Sequence, residues 1–581
     1  MKNDQKNFVL FAVLAAVILF GWQPLASYFF PAANPPATKI VDGKSQPVAN
    51  PGADPTADSP AATRDRRLVL RETPRVLIDT PRLKGSINLK GARIDDLVLT
   101  RHNETIAKNS DPIRILSPSG TGDAYFATFG WSGNGVQAPG ADTVWQANGT
   151  RLTPATPVTL TTQVGGQRYA IQIAVDDGYM FTVRQTLGNG GPQPVQAATY
   201  GLLSRSGAGA DHDTWTIHSG PIGVFGNGVN YDMEYANLDG ERPGFFSRLF
   251  GTTAQAGENY FNSTGSWLGF TDKYWLTALI PDQGTAVKAG FRKPSSNYQA
   301  DFQPAQPREV KSGQQIVSTA RFFAGAKEVD LLDRYEDAGI TQFGNAIDWG
   351  WFGIVEKPIF AYLDWLFRMV QNFGVAIILL TLTIRLLMFP IAQRQFASMA
   401  AMRALQPKLK VLQERYKDDK PRLQQEMMGL YKQEKVNPVA GCLPTLLQIP
   451  VFYALYKVLM LTIEMRHQPF VGWIKDLSAP DPMTPVNLFG LLPFTPPGFL
   501  AIGVIPILLG VSMYFQFRLN PQAMDPAQKQ VFGLMPWVMM FIMAPFAVGL
   551  QVYWITSNLL TVAQQQLLYS RHPGLKASAA K

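Results

Sequence analysis

Along this chain the apolar residues change rhythm several times, and each rhythm predicts a different element. Phe8–Trp22 (FVLFAVLAAVILFGW) is a short unbroken apolar run behind Lys2 and Lys6. Pro24 and the bulky Tyr28, Phe29 and Phe30 stand where a signal-peptide cleavage site needs small residues, so 1–30 reads as an uncleaved transmembrane anchor. The lysines hold the N-terminus in the cytoplasm and send the following chain outward. Over 31–64 the run gives way to Pro, Ala, Asp, Ser and Thr, the composition of a flexible linker.

Residues 65–340 carry short β-type stretches punctuated by turn residues: RVLID at Arg75–Asp79, SINLKG at Ser86–Gly91, DLVLT at Asp96–Thr100, YAIQIAV at Tyr169–Val175 and MFTVRQTL at Met180–Leu187. They predict a large all-β domain, one oversized sandwich or two stacked ones, with turns at Asp177-Gly178 and Gly188-Asn189. Within 341–372 the rhythm becomes helical over Pro358–Asn372 (PIFAYLDWLFRMVQN). Phe360, Leu363, Phe367 and Val370 share one face and Asp364, Arg368 and Gln371 another, beside Trp349, Trp351 and Trp365. This predicts an amphipathic helix lying in the membrane interface, its alternative being a soluble helix packed on the sandwich.

The membrane core, 373–569, begins with Phe373–Pro390 (FGVAIILLTLTIRLLMFP), an apolar run holding one full charge, Arg385. Such a charge costs at least ~2.5–3.5 kcal/mol on insertion scales unless something receives it. Thr381 and Thr383, its polar neighbours in the run, cannot neutralise a guanidinium. Two readings stay open: the side chain snorkels past Pro390 to the interface, or it lines a water-filled hollow within the membrane.

Gln393–Lys435 follows, rich in Lys and Arg and hence cytoplasmic. Met402, Leu405, Leu409 and Leu412 step by three and four, as do Leu423, Met427 and Leu430, and Asp418-Asp419-Lys420-Pro421 supplies a turn. This predicts a helical hairpin whose Met-bearing stripe is either its own seam or a docking surface. Four more apolar runs, Gly441–Met465, Ala501–Phe517, Val531–Pro545 and Gly549–Tyr569, complete six crossings before a basic cytoplasmic tail, 570–581. Several are barely membrane-length and interrupted by proline, so a locally thinned bilayer follows. The last run carries Gln551, Thr556, Ser557, Asn558, Thr561 and Gln564–Gln566. These side chains either glue helices together, or Gln551, Ser557 and Asn558 among them join Thr381, Arg385 and Gln448 in lining one wet cavity.

Composition narrows the chemistry. The chain has 581 residues and a net charge of +9, much of it beside the apolar runs, which argues against a dedicated nucleic-acid domain. Cys442 is the only cysteine and the five histidines form no ligand cluster, so no disulfide, metal or other cofactor is expected. Asp211-His212-Asp213 with His218 is the one acid/base-looking group, and it reads as a solvated loop. No phosphate-binding loop is present, and an enzyme is not expected.

Five stretches carry a resemblance: IRLLMFP at Ile384–Pro390, YKQEKVNPVAGCLPTLLQIPVFYALY at Tyr431–Tyr456, PFVGWIKDLSAPDP at Pro469–Pro482, Asp525-Pro526, and YWITSNLLTVAQQQ at Tyr553–Gln566. Together with the layout, they resemble the YidC-type membrane protein insertases, in the Gram-negative form with a large periplasmic domain. The resemblance implies a five-helix insertase core behind the N-terminal anchor, in the bacterial inner membrane with both termini cytoplasmic. It implies that newly made proteins are inserted and folded there, alone or beside the Sec translocon. Expected partners are nascent membrane proteins, the ribosome, the translocon with its accessory subunits, and lipid.

The resemblance also places Arg385 in a hydrophilic groove, with substrate contacts at Thr381 and Trp554. Gln448, Ser557 and Asn558 join them as candidate lining, and Met402, Arg403, Met427, Met428 and Asp525 are candidate partner contacts. One departure is Trp554, where some relatives carry tyrosine. Two rivals remain: a solute transporter, which should show an internal repeat that is not visible here, and a polysaccharide-handling protein, which should show paired carboxylates in the sandwich.

Overall fold

The computed structural model describes residues 38–41, 44–47, 64–209, 218–226, 228–239, 259–393, 405–416, 419–434, 443–489, 491–492, 501–519 and 526–571. The chain divides into two compact units, one made of Ala53–Lys357 and Lys457–His467, the other including Pro358–Tyr456 and the chain from Gln468 onward. The expected anchor over Phe8–Trp22 and the cluster Asp211-His212-Asp213 lie outside the described residues. Within the stretch expected to be a linker, Thr38–Val41 pairs antiparallel with Lys44–Pro47, where β-branched Thr38, Ile40 and Val41 favour extended chain.

The first unit is one two-sheet sandwich rather than two stacked ones. A nine-stranded sheet is centred on Gln315–Ala326, which pairs with Met180–Asn189 on one side and Trp275–Ile280 on the other. An eleven-stranded sheet is centred on Val195–Ser206, flanked by Tyr125–Ser132 and Asn297–Pro304. Alternation explains the core: along Gln167–Val175 the residues Tyr169, Ile171, Ile173 and Val175 are buried, and those between them face outward or half outward. Rings interlock between the sheets, Trp131 with Tyr169 at 4.9 Å and Phe129 with Phe322 at 6.4 Å, each buried ring contributing about 1.5–3 kcal/mol.

The five stretches read as strands all lie within strands or at their ends, and Asp177-Gly178 is a turn. The Asp176 carboxylate accepts the Gly178 and Met180 N–H groups at 2.9 and 3.0 Å. Gly188-Asn189 is not a turn: both residues still pair within the strand, opposite Arg168 and Gln167. The turn comes later because the buried Asn189 amide donates to the Gln193 and Val310 carbonyls and accepts the Gly191 N–H. His218 is half-buried, its Nε2 2.9 Å from the Pro221 carbonyl, and desolvation lowers its pKa. Burial likewise pushes His102 down to about 4, where it lies neutral and edge-on to Trp275.

Among the described residues, three short helices accompany the strands: α1 (Arg66–Arg71), α2 (Tyr235–Leu238) and α3 (Val329–Asp337). Residues 457–467 belong with this unit. The Glu464 carboxylate accepts the Val329 N–H at α3, and Arg466 donates to the carbonyls of Asn103 and Glu104 while lying over the Tyr274 and Trp275 rings.

The second unit is helical. Among the described residues its helices include α4 (Gly353–Val370), α5 (Phe373–Leu387), α6 (Gln406–Arg415), α7 (Lys420–Gln433), α8 (Leu443–Leu461), α9 (Val504–Leu519), α10 (Pro526–Met543) and α11 (Val548–Arg571), with the first turn of α4 and the last of α8 counted in the sandwich unit. The expected amphipathic helix thus starts five residues before Pro358, and its buried face is Phe360, Leu363 and Leu366. Asn372 caps α5 by accepting the Val375 N–H, and its amide donates to the Phe470 carbonyl at 3.0 Å.

The expected hairpin has α6 and α7 as its arms. Asp419 caps α7, Pro421 stands in its first turn, Leu405 and Leu409 are buried, and Lys408 pairs with Glu434 at 2.5 Å.

Among the described residues no helix is long and apolar enough to cross a membrane. Fifteen residues make α5 about 22 Å long, against about 30 Å of hydrocarbon, and the 24-residue α11 is diluted by its polar residues.

Candidate functional site

Arg385 occupies the last turn of α5, three residues before the helix ends at Met388. Its guanidinium turns sideways and donates to the Ser557 hydroxyl of α11. One turn earlier on α11, the buried Tyr553 hydroxyl accepts from the Gln448 amide of α8 and lies within electrostatic range of the guanidinium. Positions 553 and 557 share a helical face, so three helices bring an arginine, two hydroxyls and an amide together. Among the described residues Arg385 makes no ion pair. The cation is solvated by neutral dipoles that satisfy it only in part, which leaves most of its field available to an acceptor that approaches.

The other expected lining residues have different partners. Thr381 is buried and donates to the Ile377 carbonyl of its own helix at 2.6 Å. Asn558 is turned away from Arg385 and donates to Ser512 of α9 at 2.9 Å, because adjacent residues on a helix lie about 100° apart. Gln551 donates to the carbonyls of Met543 and Phe546, closing the turn between α10 and α11. Trp554 is half-buried, edge-on to Phe452 of α8 at 5.0 Å.

Of the six lining candidates, the structure therefore gathers Arg385, Ser557 and Gln448, and assigns Asn558 to helix packing. Tyr553 was missed by the sequence reading. Its signal was there, a hydroxyl four residues before Ser557.

On the hairpin, Met428 is exposed and Met427 half-buried. An open depression of about 590 Å³ along α7 is lined by Pro421, Gln424, Gln425, Met428, Gly429 and Lys432. Met402, Arg403 and Asp525 lie outside the described residues.

Known proteins settle the family. Residues 365–575 match the model of the 60Kd inner membrane protein family, and residues 75–362 match that of the YidC periplasmic domain. The chain is 49% identical over 575 residues to the membrane protein insertase YidC of Zymomonas mobilis subsp. mobilis, covering 98% of this chain and 96% of that one. This chain belongs to the YidC family of membrane protein insertases.

The family member of Methylorubrum extorquens strain PA1 is 44% identical over 602 residues, with the same coverage. A crystal structure of an active YidC insertase that includes its first transmembrane domain covers 95% of this chain and 98% of its own at 18% identity, with a TM-score of 0.36. In YidC terms the sandwich unit is the periplasmic domain and the helical unit the inner-membrane part. The transporter and polysaccharide-handling readings give way to this assignment.

Proposed function

We propose that this YidC-family chain inserts newly made membrane proteins into the bacterial inner membrane, using the Arg385 cluster as the polar surface that receives a crossing segment. The carrying observation is that Arg385 faces the Ser557 hydroxyl of another helix and no carboxylate among the described residues. A polar tail entering hydrocarbon loses its hydrogen bonds to water, and Arg385, Ser557, Tyr553 and Gln448 replace some of them partway across. The lone positive charge attracts acidic residues in that tail. Apolar parts of the substrate leave past Trp554 and Phe452 toward lipid.

In this reading the chain crosses the membrane six times with both termini cytoplasmic, the short helices α5 and α9 working in a thinned bilayer. It acts alone or beside the Sec translocon. The hairpin, with Met427, Met428 and the depression along α7, faces the ribosome or the translocon. The energy comes from apolar burial, the membrane potential and translation rather than from catalysis.

The test is photocrosslinking from position 554 to a ribosome-bound nascent chain with one emerging transmembrane segment, with exposed Leu559 on the same helix as control. A crosslink confined to chain lengths that expose the segment is expected. Absence at every length, in folded protein, overturns the assignment of this surface to substrate.

A further inference from the structure

Between α8 and α9 lies a turn that presents apolar side chains outward. Val486, Leu488, Phe489, Leu491 and Leu492 are 43, 52, 52, 82 and 41% exposed. From Pro482 to Phe517 the sequence holds no Asp, Glu, Lys, Arg or His.

The turn is built rather than loose. Asp481, buried, accepts from Trp473 Nε1 at 3.1 Å, from the Met483 N–H at 3.0 Å and from the Ile505 N–H at the start of α9 at 2.8 Å. One carboxylate thus clasps both ends of the loop, and a Cβ on Gly503 would strike it. Leu488 and Phe489 hold φ of 50° and 59°, a left-handed conformation that bulky residues rarely take, so their outward direction is imposed by the turn.

The five exposed residues also keep their backbone donors occupied inside the turn. Val486 N–H goes to Thr484 Oγ1, Leu488 to Pro485 O, Phe489 to Thr484 O, Leu491 to Leu488 O and Leu492 to Asn487 O, at 2.9 to 3.3 Å. A loop facing water can leave such donors to the solvent. A loop facing a medium poor in hydrogen-bond partners cannot.

We infer that the turn at 484–492 is seated in the lipid of the periplasmic leaflet, its apolar side chains among the upper acyl chains. The inference rests on reading α8 and α9 as membrane-crossing helices, which puts the connection between them at the outer face. At sixteen residues α9 is about 24 Å long, some 6 Å short of the hydrocarbon thickness, so a turn just ahead of it lies within reach of the acyl chains. Lipid is the occupant because the patch carries no charge with which to choose a protein partner, and because the sequence stays uncharged from the turn through α9 as far as Phe517, with Leu508 of that helix exposed.

The experiment uses the full chain with Cys442→Ser, a single cysteine placed at Leu491, Leu508 or Ile106, and an environment-sensitive fluorophore on that cysteine. The protein is reconstituted in vesicles of phosphatidylethanolamine and phosphatidylglycerol. At position 491 the expected result is blue-shifted emission, quenching by nitroxides on the lipid tails and at least a threefold lower sensitivity to aqueous iodide than at Ile106, an exposed residue of the sandwich. Iodide quenching at 491 equal to that at 106, while 508 is quenched by lipid, leaves the crossing helices standing and overturns this inference. Iodide quenching at both 491 and 508 overturns the crossing helices and the loop together. Protection at 491 in native membranes but not in the pure vesicles overturns lipid in favour of a protein partner.

Discussion

Glu356 makes a quantitative test of the region where α4 begins. It is fully buried, both carboxylate oxygens lack a hydrogen-bond partner among the described residues, and its neighbours are Lys457 and Asp348, themselves 3.8 Å apart. Gly350, at φ 60°, packs so tightly over the Lys457 ammonium that a Cβ would lie 2.7 Å from it, so the cluster has little room for water. Burial drives the Glu356 carboxyl from its ordinary 4.5 up to about 7; Lys457 opposes the rise and Asp348 adds to it. The folded protein then holds a proton that the unfolded chain has released between those values. Stability therefore falls as pH rises from about 4.5 to about 7 and levels off above. That loss amounts to about 3 kcal/mol. Glu356→Gln keeps the shape and removes the titration. The variant and the parent should be equally stable near pH 4, and the variant should gain about 3 kcal/mol over the parent by pH 8. Guanidinium unfolding of the full chain in detergent, followed by tryptophan fluorescence across that range, reads the difference. Parallel pH curves for the two proteins would refute the buried, water-poor cluster, as would an equal loss in the variant at every pH.

Three further outcomes follow from the contacts. Arg385→Lys should support growth when the native protein is depleted, while Arg385→Ala fails for substrates with acidic tails; equal growth of both would show that the charge is not what matters. Ser512→Ala leaves the buried Asn558 amide without its acceptor and should cost about 1–3 kcal/mol, and a double-mutant cycle with Asn558→Ala should return a coupling of at least about 0.5 kcal/mol. Arg466→Lys gives up the two-carbonyl fork over Tyr274 and Trp275, and hydrogen exchange over 457–467 should quicken by about tenfold or more with the sandwich strands unchanged.

The sandwich was legible because its strands alternate, and alternation is a local property. Tyr169, Ile171, Ile173 and Val175 announce their buried face within seven residues. What stayed hidden depends on a side chain meeting something far along the chain. Asn189 extends its strand because its amide reaches Val310, which no turn statistic on Gly-Asn can register. The inclusion of 457–467 with the sandwich rests on Arg466 finding the Asn103 and Glu104 carbonyls. Arg385 stood out in the sequence as a charge in an apolar run. Which way it turned did not, because Ser557 lies 172 residues away.

The polar residues of α11 posed a choice between glue and groove, and the structure divides them by helical face. Gln551 closes the preceding turn, Asn558 binds Ser512, and Tyr553 with Ser557 faces α8 and α5. Glue and polar surface therefore sit on one helix, and the first positions the second: Asn558 fixes the rotation of α11 that presents Ser557 to Arg385. The choice of a hydroxyl as the arginine's partner also has a consequence. A carboxylate there would neutralise the charge and leave nothing for a substrate to gain by approaching. A hydroxyl orients the guanidinium without cancelling it, so an acidic group arriving nearby still gains about 3 kcal/mol at an effective dielectric of about 20 and a separation of about 5 Å. That is roughly a hundredfold in occupancy. In the function proposed above, that attraction is large enough to draw a polar tail into the membrane and small enough to let it go.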